Sequence, residues 1–462
     1  MRRSLLLPLL LMLLAALPAA ASASSTQLMT FEAPSELLDP GARDRTLEEV
    51  RDFGVDRVRA LVYWRDFAPS PRSKRRPAFD AADPNAYPVG AWSRLDGLFD
   101  SAAARGLAIQ LTLTGPVPKW ATRRKRDQVT EPSPKEFRAF ATAVGRRYGD
   151  RVDVWSIWNE PNHPQFLRPQ FVKKRARSPR IYRNLFLAGR RGLRASGNGG
   201  DTLLFGETAP RGTPRVVAPL AFLRGALCLD RSYHRRGKCR RVEAGGYAHH
   251  AYTTRVGPRF RPPDRDDVTI GVISRLTRAL DRAGRAGAIR RGLGIYLTEF
   301  GIQSTPDPLA VSLARQAEYL GIAEHMAYVN PRVRSFSQYL LRDDKPRKGP
   351  RIQRYSGFES GLRRSDGRAK PAYQAFRLPL AVEGVGRSDV LWGRVRPMAA
   401  RTKVTILASP RKGRRFRVLR TVNTNQRGVF GLRARHRKGQ RYRVRWTAPG
   451  GAVWLGPPIR AN

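Results

Sequence analysis

Short apolar runs alternate with stretches of helical spacing from residue 26 to about 380, and no other feature of the chain limits its fold so tightly. Eight runs read as strands: Gln27–Glu32, Val58–Tyr63, Ala108–Leu113, Val154–Trp158, Leu203–Gly206, Gly246–His250, Ile295–Glu299 and Val333–Tyr339. Eight in that order predict a closed (β/α)8 barrel, the TIM-barrel architecture, rather than an open sheet. Such a barrel takes about 250 residues, more with insertions. A chain of 462 residues therefore leaves room for a second domain. Hydrophobic residues make up 41% and aromatics 9%, so a large core is available and disorder is excluded.

Helix signals fall between the strands. Ser133-Pro134-Lys135-Glu136 offers an N-cap, a proline at the first helical position and a capping-box glutamate. Phe137, Phe140, Val144 and Tyr148 follow at helical spacing, and Gly149 ends the helix. Leu276, Leu280 and Ala283 mark a helix before the seventh strand, and Asp307-Pro308 predicts the start of another just after it. Two connections, 65–90 and 162–178, are rich in Pro and Arg and lack periodicity, as loops shaping a cleft do.

After Pro379 the pattern changes. Phe416 and Val418 alternate with Arg415 and Arg417, and Tyr442, Val444 and Trp446 with Arg441, Arg443 and Arg445. Period-two alternation means strands with one buried and one wet face. Residues 381–462 thus predict a small all-β sandwich behind a barrel domain of residues 24–380. This segment holds 20 Lys and Arg against 2 Asp and Glu. Its charge suits an anionic polymer or cell envelope as partner, or an Arg-faced module that only packs on the barrel.

The first 23 residues have the layout of a secretory signal peptide: Arg2 and Arg3, the apolar run Leu5 to Leu17, then Ala21-Ser22-Ala23 as cleavage site. The run of 13 residues falls short of the roughly 20 a membrane span needs, so the expectation is a secreted protein, extracellular or held at the envelope, with no stable span. In an exported chain, Cys228 and Cys239, with ten residues between them, read as one local disulfide, and no His spacing suggests a zinc site. The net charge is +50, or +48 without Arg2 and Arg3. Nucleic acid is one partner such a charge favours, but no helix-turn-helix, zinc finger or RNA-binding aromatic motif is present, and export argues against it.

Two strands end in carboxylates. Trp155-Ser156-Ile157-Trp158-Asn159-Glu160-Pro161-Asn162 closes the fourth strand, where Pro161 stops the ladder and leaves Glu160 at the rim. Its aromatic neighbours predict a carboxyl raised toward the range of a general acid. Ile295-Tyr296-Leu297-Thr298-Glu299-Phe300-Gly301 closes the seventh. Paired carboxylates across a barrel mouth suit glycosidic cleavage, one protonating the leaving oxygen while the other attacks the anomeric carbon.

Trp-Asn-Glu-Pro-Asn on the fourth strand and Thr-Glu-Phe-Gly on the seventh resemble the clan A glycoside hydrolases, which include cellulase-type endoglycanases and β-xylosidases. The resemblance implies a retaining hydrolase of β-linked poly- or oligosaccharides, without metal or cofactor, in which Glu160 is acid/base, Glu299 is nucleophile and Asn159 binds sugar. Arg59 matches a clan arginine that supports the nucleophile. His250-Ala251-Tyr252 matches a His-x-Tyr element, and either residue orients the nucleophile; His249 is read as a core or loop histidine. Pro118-Lys119-Trp120-Ala121 resembles a loop whose tryptophan lines the cleft, and 370–376 resembles the closing helix. Where many members carry a tryptophan on the eighth strand, this chain has Ser337-Gln338-Tyr339, so Tyr339 or Gln338 takes that place. A barrel that binds carbohydrate or an envelope polymer without turnover is the alternative.

Overall fold

The computed structural model describes residues 24, 26–397, 400–410 and 415–461; the signal-like segment 1–23 lies outside them. Eight parallel strands close a barrel: β1 Leu28–Glu32, β2 Arg57–Tyr63, β3 Ala108–Thr114, β4 Val154–Ile157, β5 Thr202–Thr208, β6 Gly246–His250, β7 Gly294–Glu299 and β8 Val333–Tyr339. Each strand pairs with its neighbours in sequence, and β1 pairs with both β2 and β8 to shut the ring. A helix of seven residues or more follows each strand: α1 Arg43–Asp52, α2 Ser93–Ala103, α3 Pro134–Tyr148, α4 Ser178–Ala195, α5 Pro219–Ala226, α6 Ser274–Arg285, α7 Leu313–Tyr328 and α8 Pro371–Arg377.

The caps are partly those expected. Ser133 Oγ accepts from Glu136 N at 3.4 Å and starts α3. The reciprocal half of the capping box is not made, because Ala121 O takes the Ser133 N–H and Arg76 takes the Glu136 side chain. Asp307-Pro308 does not open a helix: Asp307 Oδ1 accepts from Leu309 N inside a turn, and α7 starts six residues after Asp307, capped by Ser312. Asp-Pro suits a turn as well as a cap, so the dipeptide alone does not tell them apart. Cys228 and Cys239 form a disulfide with Cα atoms 6.2 Å apart.

Beyond α8 the chain forms two antiparallel sheets. One holds β9 Leu380–Val385, β10 Ser388–Arg394 and, after two strands of the other, β13 Val429–Arg435. The second holds β11 Lys403–Ser409, β12 Arg417–Asn423, β14 Arg441–Thr447 and β15 Val453–Leu455 in the order β12-β11-β14-β15, with β16 Ile459–Arg460 also on β14. Leu380, Val382 and Leu391 of the first meet Val404, Ile406, Val444 and Trp446 of the second in one buried cluster, which makes a sandwich. β14 alternates as expected, with Tyr442, Val444 and Trp446 inward. β12 does not: Val418 is 61% exposed and Leu419 41%. β12 is the sheet's edge strand and overhangs the core, so alternation there does not translate into burial.

The sandwich is seated on the barrel. Trp392 and Val429 pack on Ile322 of α7, where His325 stacks on the Trp392 ring at 5.0 Å. Arg396, buried, donates to Phe376 O at 2.6 Å and pairs with Glu324 of α7. On the β15 edge Arg377 of α8 lies 4.1 Å from the Trp454 ring. Arg427 reaches Gln27 O at 3.1 Å, just before β1, so part of the contact is at the N-terminal end of the strands, the face of a barrel where conservation reads as stability rather than catalysis.

Candidate active site

The opposite, C-terminal ends of the strands converge on a buried arginine. Arg59 in β2 has no solvent-exposed surface. A guanidinium out of water is costly unless its donors are used, and here they are. Its Nη1 contacts Glu32 at the end of β1 and Glu299 Oε2 at 3.3 Å; Nη2 donates to Asn159 Oδ1 at 2.9 Å and reaches Glu207 Oε2 at 3.3 Å; Nε donates to Thr112 Oγ1 at 3.1 Å. Five strands besides its own, or the residues just after them, are thereby tied to one side chain.

His250, the last residue of β6, is the second buried cation. Its Nε2 lies 2.9 Å from Glu207 Oε2, and its Nδ1 lies 3.1 Å from Glu160 Oε1 and 3.5 Å from Glu299 Oε2. Burial disfavours the imidazolium, but the charges of Glu299, Glu160 and Glu207 outweigh it and push the pKa up to about 10. Since one ring nitrogen touches both Glu160 and Glu299, their oxygens approach to within about 6.6 Å, the sum of the two contacts. Residues 139 positions apart in the chain thus meet at one imidazole nitrogen.

Local backbone strain aims the first carboxylate. β4 stops at Ile157, after which Trp158 has φ +73° and Glu160 φ +40°. Non-glycine residues there cost of order 1–3 kcal/mol each and persist only where the surroundings hold them. Trp158 N–H donates to Leu113 O at 2.8 Å, its indole N–H to Phe166 O at 3.1 Å, and Asn159 N–H to Thr114 Oγ1 at 3.0 Å. The Trp158 ring is buried against Phe137, 5.5 Å between centroids, so it is part of the core. This corrects the expected electrostatics of Glu160. Burial does push its carboxyl up, but the hydrogen bond and charge of His250 outweigh that, and the carboxyl ends below its ordinary value.

Glu299 is gripped on both oxygens. Tyr252 O–H donates to Oε1 at 2.7 Å, while Arg59 and His250 hold Oε2. Burial and the adjacent Glu299 charge keep the Tyr252 phenol well above its ordinary pKa, so it stays a neutral donor. Both residues of the His-x-Tyr element therefore reach Glu299. Tyr339, ending β8, stands edge-on to Tyr252 at 6.5 Å and to Phe358 at 5.0 Å, beside the carboxylates. Asn159 gives its oxygen to Arg59, and its amide nitrogen has no acceptor among the described residues.

Three residues lie outside this cluster, His249 as expected. Gln338 spends its amide on the carbonyls of Tyr339, Leu340 and Ser360 and is structural. Trp120 shares no hydrogen bond with the cluster; its indole donates to Pro69 O at 3.1 Å and its ring packs on Trp64 and Phe79. His249 is a satisfied core histidine, between Thr208 Oγ1 at 2.9 Å and Val268 O at 2.8 Å, and burial lowers its pKa to about 4.

Two members of the cluster escaped the sequence reading. Glu207 in β5 is wholly buried and meets Arg59, His250, Ser156 and Thr298. Burial alone would raise its carboxyl, but Arg59 and His250 bring it down to about 2. Glu32 goes the other way: burial, aided by the Glu299 charge, pushes it up to about 8 against the pull of Arg59. Four carboxyl groups against two cations would leave two negative charges in excess, and a proton on Glu32 relieves half of that. The signal for Glu207 is Gly206, at which the sequence predicts the end of the strand. It has φ +119°, and a Cβ there would lie 2.5 Å from Ala248 O. β5 bulges at this point, with a register shift between Gly206 and Thr208, and the bulge aims Glu207 into the barrel.

Sequence comparison finds no family profile and no curated protein that matches the chain. Comparison of folds does. A family 39 glycoside hydrolase from the gut symbiont Bacteroides cellulosilyticus WH2 superposes with a TM-score of 0.52 at 16% identity, over 87% of this chain and 80% of the other. The GH39 enzyme of Xanthomonas axonopodis pv. citri gives 0.51 at 15%, over 95% and 96%. GH5_18 from Streptomyces cattleya, solved with GlcNAc, gives 0.51 at 18%, over 77% and 81%. The barrel fold is the one these glycoside hydrolases have. On this barrel Glu160 follows β4 and Glu299 ends β7.

Proposed function

We propose that the chain is a secreted, retaining O-glycoside hydrolase acting on β-linked poly- or oligosaccharides. The observation that carries this reading is the contact of Glu160 and Glu299 with the same nitrogen of His250 at the C-terminal mouth of the barrel. Glu299, held by Tyr252 and Arg59, attacks the anomeric carbon, the glycosidic C–O bond breaks, and the leaving oxygen takes a proton from Glu160. Water, deprotonated by Glu160, then cleaves the glycosyl-enzyme and frees Glu299.

The low carboxyl of Glu160 fits this scheme once it is taken with His250. In the free protein their shared proton rests on Nδ1, 3.1 Å from Glu160 Oε1, and the pair titrates as a unit. Glu160 collects that proton as it delivers one to the leaving group, which leaves a neutral imidazole still donating from Nε2 to Glu207. Asn159 directs its amide to a sugar hydroxyl, and Tyr339 and Tyr252 wall the sugar site. Export follows from the signal pattern of residues 1–23, and an anionic envelope polymer is the partner of the basic C-terminal domain.

The decisive experiment is trapping with a 2-deoxy-2-fluoro glycoside followed by peptide mass spectrometry. A covalent adduct on Glu299 is expected. Turnover of an aryl β-glycoside with inversion, or an adduct on another residue, would overturn the assignment.

A further inference from the structure

The larger sheet of the C-terminal sandwich ends in two edge strands, and they differ. The β15 edge faces the barrel, where Trp454 meets Arg377. The β12 edge is at the far side of the same sheet, three strands away. Beside it lies a groove of about 630 Å³, lined by Arg415, Arg417, Val418, Leu419, Arg435, Arg437 and Lys438, with Ala408 and Ala434 in its wall.

Its five cations have no carboxylate among the described residues. The module's two acids are committed elsewhere: Asp389 is buried and bound by His436 at 2.6 Å and Tyr442 at 2.7 Å, and Glu383 lies 3.8 Å from Arg259 of the barrel. Arginines on an edge strand also serve to block pairing with other strands. That purpose explains Arg417, but not the charges of Arg435, at the end of β13 in the other sheet, and of Arg437 and Lys438 in the loop after it, which line the same concavity. The exposed Val418 and Leu419 form an apolar strip along it. No aromatic ring lines the groove among the described residues, so it has no platform on which nucleic-acid bases stack.

We propose that the β12 groove is the binding site for an extended anionic polysaccharide, carrying carboxylates or other negative groups along its chain. This rests on the reading of the C-terminal domain as a polyanion-binding module and gives that reading a place. It makes no use of the catalytic residues. Carboxylate groups of successive sugars pair with the guanidinium groups, and the sugar faces lie on the Val418–Leu419 strip. The far edge holds the polymer while the barrel mouth stays open.

The test uses the full mature chain with polygalacturonate as probe, dextran as neutral control and duplex DNA as competitor. Arg417, Arg435 and Arg437 are changed together to Gln. A second variant, of equal charge, changes Arg138, Arg191 and Arg194 on the barrel helices, all exposed. Wild type binds polygalacturonate, weakly or not at all in high salt, and ignores dextran. The groove variant loses roughly tenfold in affinity at unchanged Tm and unchanged hydrolysis of a small aryl glycoside, whereas the barrel variant loses less than threefold. Equal losses in the two variants would mean that net charge, not the groove, does the binding. Failure of wild type to bind polygalacturonate would overturn the module reading itself. DNA bound tenfold more tightly than polygalacturonate at the same salt would assign the groove to nucleic acid.

Discussion

Arg59 and Arg417 both sit on β-strands of this chain, in opposite surroundings. Arg59 is sealed in the barrel and touches Glu32, Glu207, Glu299, Asn159 and Thr112. Arg417 lies on the outer edge of the sandwich, exposed, with other cations for neighbours. In the barrel, the cost of an unpaired buried charge fixes each ionic group to a single position. At the β12 edge, water solvates the charges, and no single one of them is needed to hold the fold. A single substitution should therefore be severe in one region and mild in the other.

The largest effect is expected at Glu160→Gln. Loss of a general acid/base lowers kcat/KM on an aryl glycoside by about a hundred- to ten-thousandfold, while circular dichroism and Tm stay as in wild type. Full activity in this variant would remove Glu160 from the mechanism and leave the barrel's charges as structure only. Next comes Arg59→Met. It strands three carboxylates and should cost roughly 3–5 kcal/mol in urea unfolding. A loss under about 1 kcal/mol, the range of surface pairs, would erase the contrast with the sandwich.

Glu207→Gln sharpens the comparison inside the barrel. Glu207 is one of the charges that raise His250 to about 10, and the proposed acid is the protonated Glu160–His250 pair. Removing a negative neighbour lowers the pKa of that pair, so the proton is lost at lower pH. The alkaline limb of the pH profile of kcat/KM should move down by about one to three pH units. An unmoved limb would show that the pair does not govern it. The smallest effect is expected at Arg417→Gln alone, within about 0.5 kcal/mol of wild-type stability. A larger loss would mean that the sandwich also positions its charges one by one.

Much of the barrel was legible because strand length, apolar runs and the helices between them repeat eight times, and β6 and β8 have the predicted bounds. The places of Glu160 and Glu299 at the barrel mouth were legible because one follows and the other ends an apolar strand, each beside a residue that stops or bends the chain. Glu207 was not, because a glycine inside a strand reads as its end when it is the pivot of a bulge. The direction of the Glu160 shift was not legible either. It depends on His250, 90 residues further on, whereas the neighbouring Trp158 turns away into the core. Trp120 shows the same limit: its loop is legible, but its Trp64 and Phe79 neighbours come from another connection. In the sandwich, alternation marked β14 correctly and β12 wrongly, since periodicity does not say which strand lies at an edge.

The convergence on Arg59 also bears on how this chain finds its fold. A barrel strand displaced along its neighbour by two residues keeps its inward face apolar and most of its ladder intact, so hydrophobic burial alone discriminates poorly between registers. It would, however, carry its carboxylate or amide about 7 Å away from the guanidinium, leaving a buried cation partly unanswered. The side chain that organises the site thus also checks the alignment of β1, β3, β4, β5 and β7, and a barrel closed out of step has neither a working site nor a tolerable interior.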